Sequence, residues 1–486
     1  MDFGILSLLP PIIAIVLAIA TRQVYLSLMA GIYIGWVIIS EGNIWQGFLS
    51  SLEGLVAVFQ DAGSTRTILF SALVGSLIML IQRSGGVEGF IQWVGRKLEK
   101  DRGGSRIKLQ FYAWLISVLI FVETSISVLT VGTIFRPLFD KYKISREKLA
   151  YIIDSGSAPA CIIFPLNGWG AFIIGLLVTQ SIEQPFMVML SAIPFNFYAL
   201  LALVAVPLII KRNWDLPLMR KAENRTQSGA VLWPDATPMI TDEALNISYD
   251  GESQPKAYNM MIPIGVMILA MPLILLYSGW NNLPQDTSLL KTVFYAIGNG
   301  SGSTAVLVAV SLAILVATTM YKVQGILGIR QSVDWIVKGI AALMPLALLM
   351  LMAFAIGNVC KALGTGQYVS HVIGSFLHPG LIPALLFVTS AFIAFSTGTS
   401  WGTFAIMVGI AVPLVQGLGL DFALCLAAVL GGGVFGDHCS PISDTTIIAS
   451  MSAATDHVDH VKTQMPYALI IGSISTVLYL IFGFTI

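Results

Sequence analysis

Gly431 to His457 reads GGGVFGDHCSPISDTTIIASMSAATDH. It closes an apolar run over 421–451 that is long enough to cross a bilayer, yet Asp437 and Asp444 lie inside that run, with His438, Ser440, Pro441 and Ser443 between them. A carboxylate at the bilayer centre costs roughly 2.5–3.5 kcal/mol on insertion scales. Proline removes a backbone donor and breaks a helix, and glycine admits dihedrals that other residues avoid. The stretch therefore predicts a membrane helix interrupted near its middle. The carbonyls freed by the break, with the hydroxyls and carboxylates beside them, are hard oxygen ligands of the kind that suit sodium.

The rest of the chain agrees with a membrane setting. Of 486 residues, 56% are hydrophobic and 11% are charged, against about 25% charged in soluble domains. Net charge is zero, and no basic tract is interleaved with aromatics, so nucleic acid is not an expected partner. Cys161, Cys360, Cys425 and Cys439 stand singly in apolar runs and read as small core residues, with no disulfide framework and no zinc site. No nucleophile–base pattern, metal motif or phosphate loop appears, so neither an enzyme nor a cofactor is expected. The N-terminus lacks a basic leader and a small-residue cleavage site, so its first apolar run reads as a retained helix.

Apolar runs fall at 4–21, 23–40, 66–82, 109–135, 149–179, 187–210, 259–279, 299–320, 338–360, 381–416, 421–451 and 466–485. Lysine and arginine concentrate in cytoplasmic loops. If both termini lie outside, and if 109–140 and 381–416 are re-entrant hairpins, then only Arg66, Lys291 and Lys361 of the 26 basic residues face outward. Simple crossings at those two places would scatter basic blocks on both faces. The expected fold is an all-α polytopic membrane protein of ten helices and two hairpins, one dipping from each side. It divides into a first repeat at 1–210, a polar, solvated cytoplasmic linker at 211–258 and an inverted second repeat at 259–486. The stretches 84–107 and 362–378 read as helices lying along the membrane surface.

Internal echoes support the repeat. Phe121 to Ser125 followed by Arg136-Pro137-Leu138 echoes Ser396 to Ser400 followed by Val412-Pro413-Leu414, and Asp154 to Pro159 echoes Gly436 to Pro441. Weak symmetry of this sort marks secondary transporters, whose sites lie where interrupted helices meet. The candidate site residues are Glu123, Thr124, Ser125, Asp154, Ser157 and Asn167 in the first half. In the second they are Thr397, Thr399, Ser400, Asp437, His438, Ser440, Ser443, Asp444 and Thr445, with Asp437 and Asp444 as the sodium carboxylates. Each also has a plain structural reading. A hydroxyl can bond back to its own helix, Asp154 can cap a half-helix, Glu123 can face water, and His438 can be a structural donor. His371, His378, His457 and His460 flank apolar runs and read as interfacial.

Gly431 to His457, together with Tyr151 to Gly170 (YIIDSGSAPACIIFPLNGWG), resembles the NhaC family of sodium/proton antiporters within the ion transporter superfamily. The resemblance implies inverted repeats, two re-entrant hairpins, a scaffold part that forms a homodimer, and a moving part that works as an elevator in the cell inner membrane. In related divalent-anion carriers, hairpin tips bind sodium and substrate together. Thr124-Ser125 and Thr399-Ser400 match those tips by position, though the Ser-Asn-Thr triplet of those carriers has no counterpart. Sodium and protons are the implied transported ions, with a sodium- or proton-coupled carrier of a small organic solute (amino acid, amine or carboxylate) as the alternative.

Overall fold

The computed structural model describes residues 3–21, 23–90, 92–93, 106–121, 124–238, 254–280, 296–297, 300–365, 368 and 377–486, and within them the chain is helical with no strand. The first helices are α1 (Leu9–Thr21), α2 (Val24–Ile39), α3 (Ile44–Val58) and α4 (Ala62–Arg83). A helical pair follows, α5 (Arg106–Leu119) and α6 (Thr124–Lys141). Next come α7 (Arg146–Ile163) with α8 (Gly168–Thr179), then α9 (Pro185–Ala192) with α10 (Phe197–Arg212) and α11 (Pro217–Gln227). The second half holds α12 (Tyr258–Gly279), α13 (Gly302–Val323) and α14 (Ile329–Ala362). It ends with the pair α15 (Ile382–Thr397) and α16 (Ser400–Leu418), then α17 (Phe422–Cys439), α18 (Asp444–Ala453) and α19 (His457–Thr485).

Among the described residues, eight helices are long and apolar enough to cross a membrane, and up to ten spans result if α7–α8 and α9–α10, bent by 41° and 50°, each count as one. The chain is thus an all-helical polytopic membrane protein. One helix departs from the expectation. α3 was not among the apolar runs, because Gln46, Ser50, Ser51 and Glu53 dilute its hydropathy. It nevertheless exposes Ile44, Trp45, Phe48, Leu52 and Val56, a face suited to lipid. Most of 84–107 and 362–378 lies outside the described residues.

Packing sorts the helices into two groups. α4 lies along α14 and α13, α12 along α13, and α2 along α1 and α14. In the other group α15 packs on α17, α6 and α10 on α7, α18 on α6 and α7, and α17 on α19. The crossing of α4 and α14 is held by two glycines. A Cβ on Gly75 would sit 2.1 Å from the Gly339 carbonyl oxygen, and one on Gly339 would sit 2.4 Å from that of Gly75. Helices associate closely in lipid where small residues let backbones touch.

The linker is not simply solvated. α11 docks on the start of α7, where Arg225 holds the buried Glu147 through two hydrogen bonds of 2.7 and 3.0 Å. Glu223 accepts from the Ser145 hydroxyl at 2.7 Å and pairs with Arg106 at 2.6 Å, and Lys148 pairs with Asp215 at 2.9 Å. Charges this buried require partners, and the polar composition of α11 supplies them. Residues 239–253 of the linker lie outside the described residues.

Replacing Gly75 with alanine forces α4 and α14 apart. The expected result is a lower thermal unfolding midpoint in detergent, corresponding to the roughly 1–3 kcal/mol of an overpacked core. An unchanged midpoint would show that the crossing tolerates a methyl group.

Candidate functional site

Each helical pair places its tip against the break of the bent helix that follows it. α7 stops at Phe164-Pro165, and Asn167 starts α8 by accepting from the Gly170 N–H at 3.0 Å. The Asn167 amide also donates to the carbonyls of Phe121, at the α5–α6 tip, and Cys161, both at 2.8 Å. One side chain therefore serves the tip, the end of α7 and the start of α8. The Cys161 thiol reaches the same Phe121 carbonyl at 3.2 Å, and the Thr124 hydroxyl lies 3.4 Å from that thiol.

The second half repeats the device with other residues. α17 stops before Ser440-Pro441, and the Ser440 hydroxyl donates to the Phe395 carbonyl of α15 at 2.7 Å. Gly398 turns the α15–α16 tip at φ +69°, and a Cβ there would lie 2.5 Å from the Ile442 carbonyl oxygen. Both the dihedral and the approach require glycine. Thr399 caps α16, and Ser443, 3.0 Å from the Thr445 hydroxyl, caps α18.

At the second tip the Ser400 hydroxyl donates to the Asp437 carboxylate at 2.7 Å, with the Gly433 carbonyl at 3.3 Å, and Asp437 is 2% exposed. The next residue, His438, turns the other way. Its Nδ1 lies 3.1 Å from the Tyr198 hydroxyl, and its Nε2 lies 3.8 Å from Asp154. Asp154 is fully buried, accepts from Gln464 at 2.6 Å and Thr446 at 3.3 Å, and has His460 at 3.6 Å. The structure thus joins Asp154 of α7 with His438 of α17, and sets Asp437 against Ser400.

Other candidates fall differently. Ser157 and Thr397 bond back to carbonyls of their own helices, at 3.2 and 2.9 Å. Asp154 lies within α7 and caps nothing; Asn167 does the capping. Glu123 lies outside the described residues, and Ser125 and Asp444 are placed only as residues of α6 and α18. His460, expected at the interface, is fully buried beside Asp154. With Gln464 it forms an i, i+4 pair on one face of α19, a spacing visible in the sequence.

A cavity of about 290 Å³ is bordered by α2, α4, α14, α8 and α16. Tyr25, Ser71 and Met350 line one side, and Trp169, Thr399 and Trp401 line the other. The N-terminal ends of α8 and α16 both border it through Gly168 and Thr399, and the rings of Trp169 and Trp401 lie 5.2 Å apart.

Residues 170–484 match the model of the Na+/H+ antiporter family. The chain belongs to that family. An uncharacterized Haemophilus influenzae protein is 33% identical over 491 residues, covering 99% of this chain and 91% of that one. The malate-2H(+)/Na(+)-lactate antiporter of Bacillus subtilis is 30% identical over 166 residues, 33% of this chain and 35% of that one. In fold, the crystal structure of the Alcanivorax borkumensis YdaH transporter superposes with a TM-score of 0.55 at 14% identity, covering 90% of this chain and 89% of that one. The chain is accordingly a secondary transporter of antiporter type.

Asn167→Ala removes three hydrogen bonds at once and leaves two buried carbonyls and the Gly170 N–H without that partner. Each such loss carries about 1–3 kcal/mol, so the variant is expected to unfold at a markedly lower temperature. Asn167→Asp, which keeps the cap but loses the amide donors, should fall between the variant and the wild type. A wild-type unfolding curve for Asn167→Ala would contradict the role given to this side chain.

Proposed function

We propose that the chain is a sodium/proton antiporter that works by alternating access. The observation that carries this reading is the buried Asp437–Ser400 pair, set where the α15–α16 tip meets the break between α17 and α18. The Asp437 carboxylate, the Ser400 hydroxyl and the Gly433 carbonyl gather oxygen ligands in one buried place. A sodium ion held by these oxygens balances the charge of a carboxylate buried in the membrane. The Ser443 and Thr445 hydroxyls at the start of α18, with Asp444 by its place in the sequence, are the further ligands of this proposal.

In this reading the helical pairs are re-entrant hairpins, and the chain is an inverted repeat with the linker on the cytoplasmic side and both termini outside. The support is that each tip stops at a helix break and that the same order of pair, broken helix and final helix occurs in both halves. The group containing α4 and α14 is then the scaffold and homodimer surface, and the group carrying Asp154 and Asp437 moves against it across the cavity as an elevator, in the cell inner membrane.

The cavity favours a second reading. About 290 Å³ exceeds what a bare sodium ion needs, and helix N-termini favour anions. A sodium-coupled exchange of a small carboxylate, as in the name of the Bacillus subtilis relative, fits that space beside the two tryptophans.

Asp437→Asn is expected to remain folded and to lose proton-gradient-driven uptake of radioactive sodium into proteoliposomes. The loss should be at least about 100-fold, the upper range for losing even a supporting residue of a metal site. Uptake at the wild-type rate would remove Asp437 from the site. Sodium uptake that requires an added carboxylate would establish the second reading instead.

A further inference from the structure

Asp154 is a buried acid whose ion-pair partners among the described residues are imidazoles alone. Its Oδ2 receives Gln464 and Thr446, with His460 Nε2 at 3.6 Å, and its Oδ1 has no hydrogen-bond partner, with His438 Nε2 at 3.8 Å. His460 is fully buried, and neither of its ring nitrogens has a hydrogen-bond partner. A buried carboxylate without a positive partner is strongly unfavourable. An imidazole is the side chain that gains and loses a proton near neutral pH, and here it stands beside the acid with nothing else engaging it.

We infer that Asp154 and His460 form a proton-binding site distinct from the Asp437–Ser400 pair. On protonation the neutral imidazole becomes imidazolium against the Asp154 carboxylate, and the net charge of the pair goes from minus one to zero. On release it returns to a lone buried carboxylate held by Gln464 and Thr446. The titration belongs to the pair as a unit. The other titratable groups around it are Tyr151 on α7, stacked on Tyr467 of α19, His438 and Cys439 on α17, and Tyr198 on α10. On its own helix Asp459 stands one residue away, among Asp456, Lys462, Glu147 and Arg225. The peptide between Asp437 and His438 links the two sites, so a cation at the first disfavours a proton at the second through like charge. The inference deepens the antiport reading by naming where the proton rides, and it rests on that reading only for the coupling.

The test is direct proton uptake by the purified full chain in weakly buffered detergent, followed from about pH 8 to about pH 5. His460→Gln keeps size and a donor but holds no proton; Asp154→Asn is the second variant and decides the matter if the first does not fold. Each folded variant is expected to take up about one proton fewer per chain than the wild type. Equal uptake in a folded variant overturns the inference. Because no sodium is present, that failure leaves the antiport reading standing. A wild type that shows no sodium-coupled proton movement would defeat the antiport reading while leaving this titration to be read by itself.

Discussion

A helix interrupted inside a bilayer leaves backbone donors and acceptors that lipid does not satisfy. Everything distinctive about this protein follows from two such interruptions, at 164–167 and 440–443. Each is closed by the tip of a helical pair, through Asn167 on the Phe121 carbonyl in one half and Ser440 on the Phe395 carbonyl in the other. The residues chosen to close the breaks are polar and buried, and Asp437 stands beside the second of them. The proposed ion site draws on a backbone that is already short of partners.

The remaining packing holds this centre in place. Gly75 and Gly339 bring α4 and α14 into backbone contact, forming a wall on the far side of the cavity. At the other end α11 clamps the start of α7 through Glu147 and Arg225, and Arg146 reaches the Ala454 carbonyl at the end of α18 at 2.9 Å. The helix bearing Asp154 is thereby tied both to the linker and to the second broken helix, so a movement of one is transmitted to the other.

Much of this was legible in the sequence because it is local. Pro441, the glycines from 431 to 436 and the embedded acids announce the break at α17, and Asn167 beside Pro165 announces the one at α8. Gly398 between Thr397 and Thr399 marks a tip. What sequence hid is what distant packing decides. His460 sits three residues inside α19, at the edge of an apolar run, and only the approach of α7 buries it against Asp154. Glu223 and Arg225 read as a solvated linker because their partners, Ser145 and Glu147, lie 78 residues away. The apolar face of α3 was diluted by the polar residues opposite it. Local spacing showed which residues were unusual for a membrane, and the tertiary fold chose which of them meet.

The central claim is that one protein couples sodium to protons with no third solute. Wild-type protein in liposomes loaded with a pH dye, given a sodium jump in the absence of any organic compound, tests it most directly. The account predicts a sodium-dependent rise in internal pH when sodium is higher outside, because sodium entering drives protons out, and a fall when the sodium gradient is reversed. An internal pH that ignores sodium in both directions would contradict it.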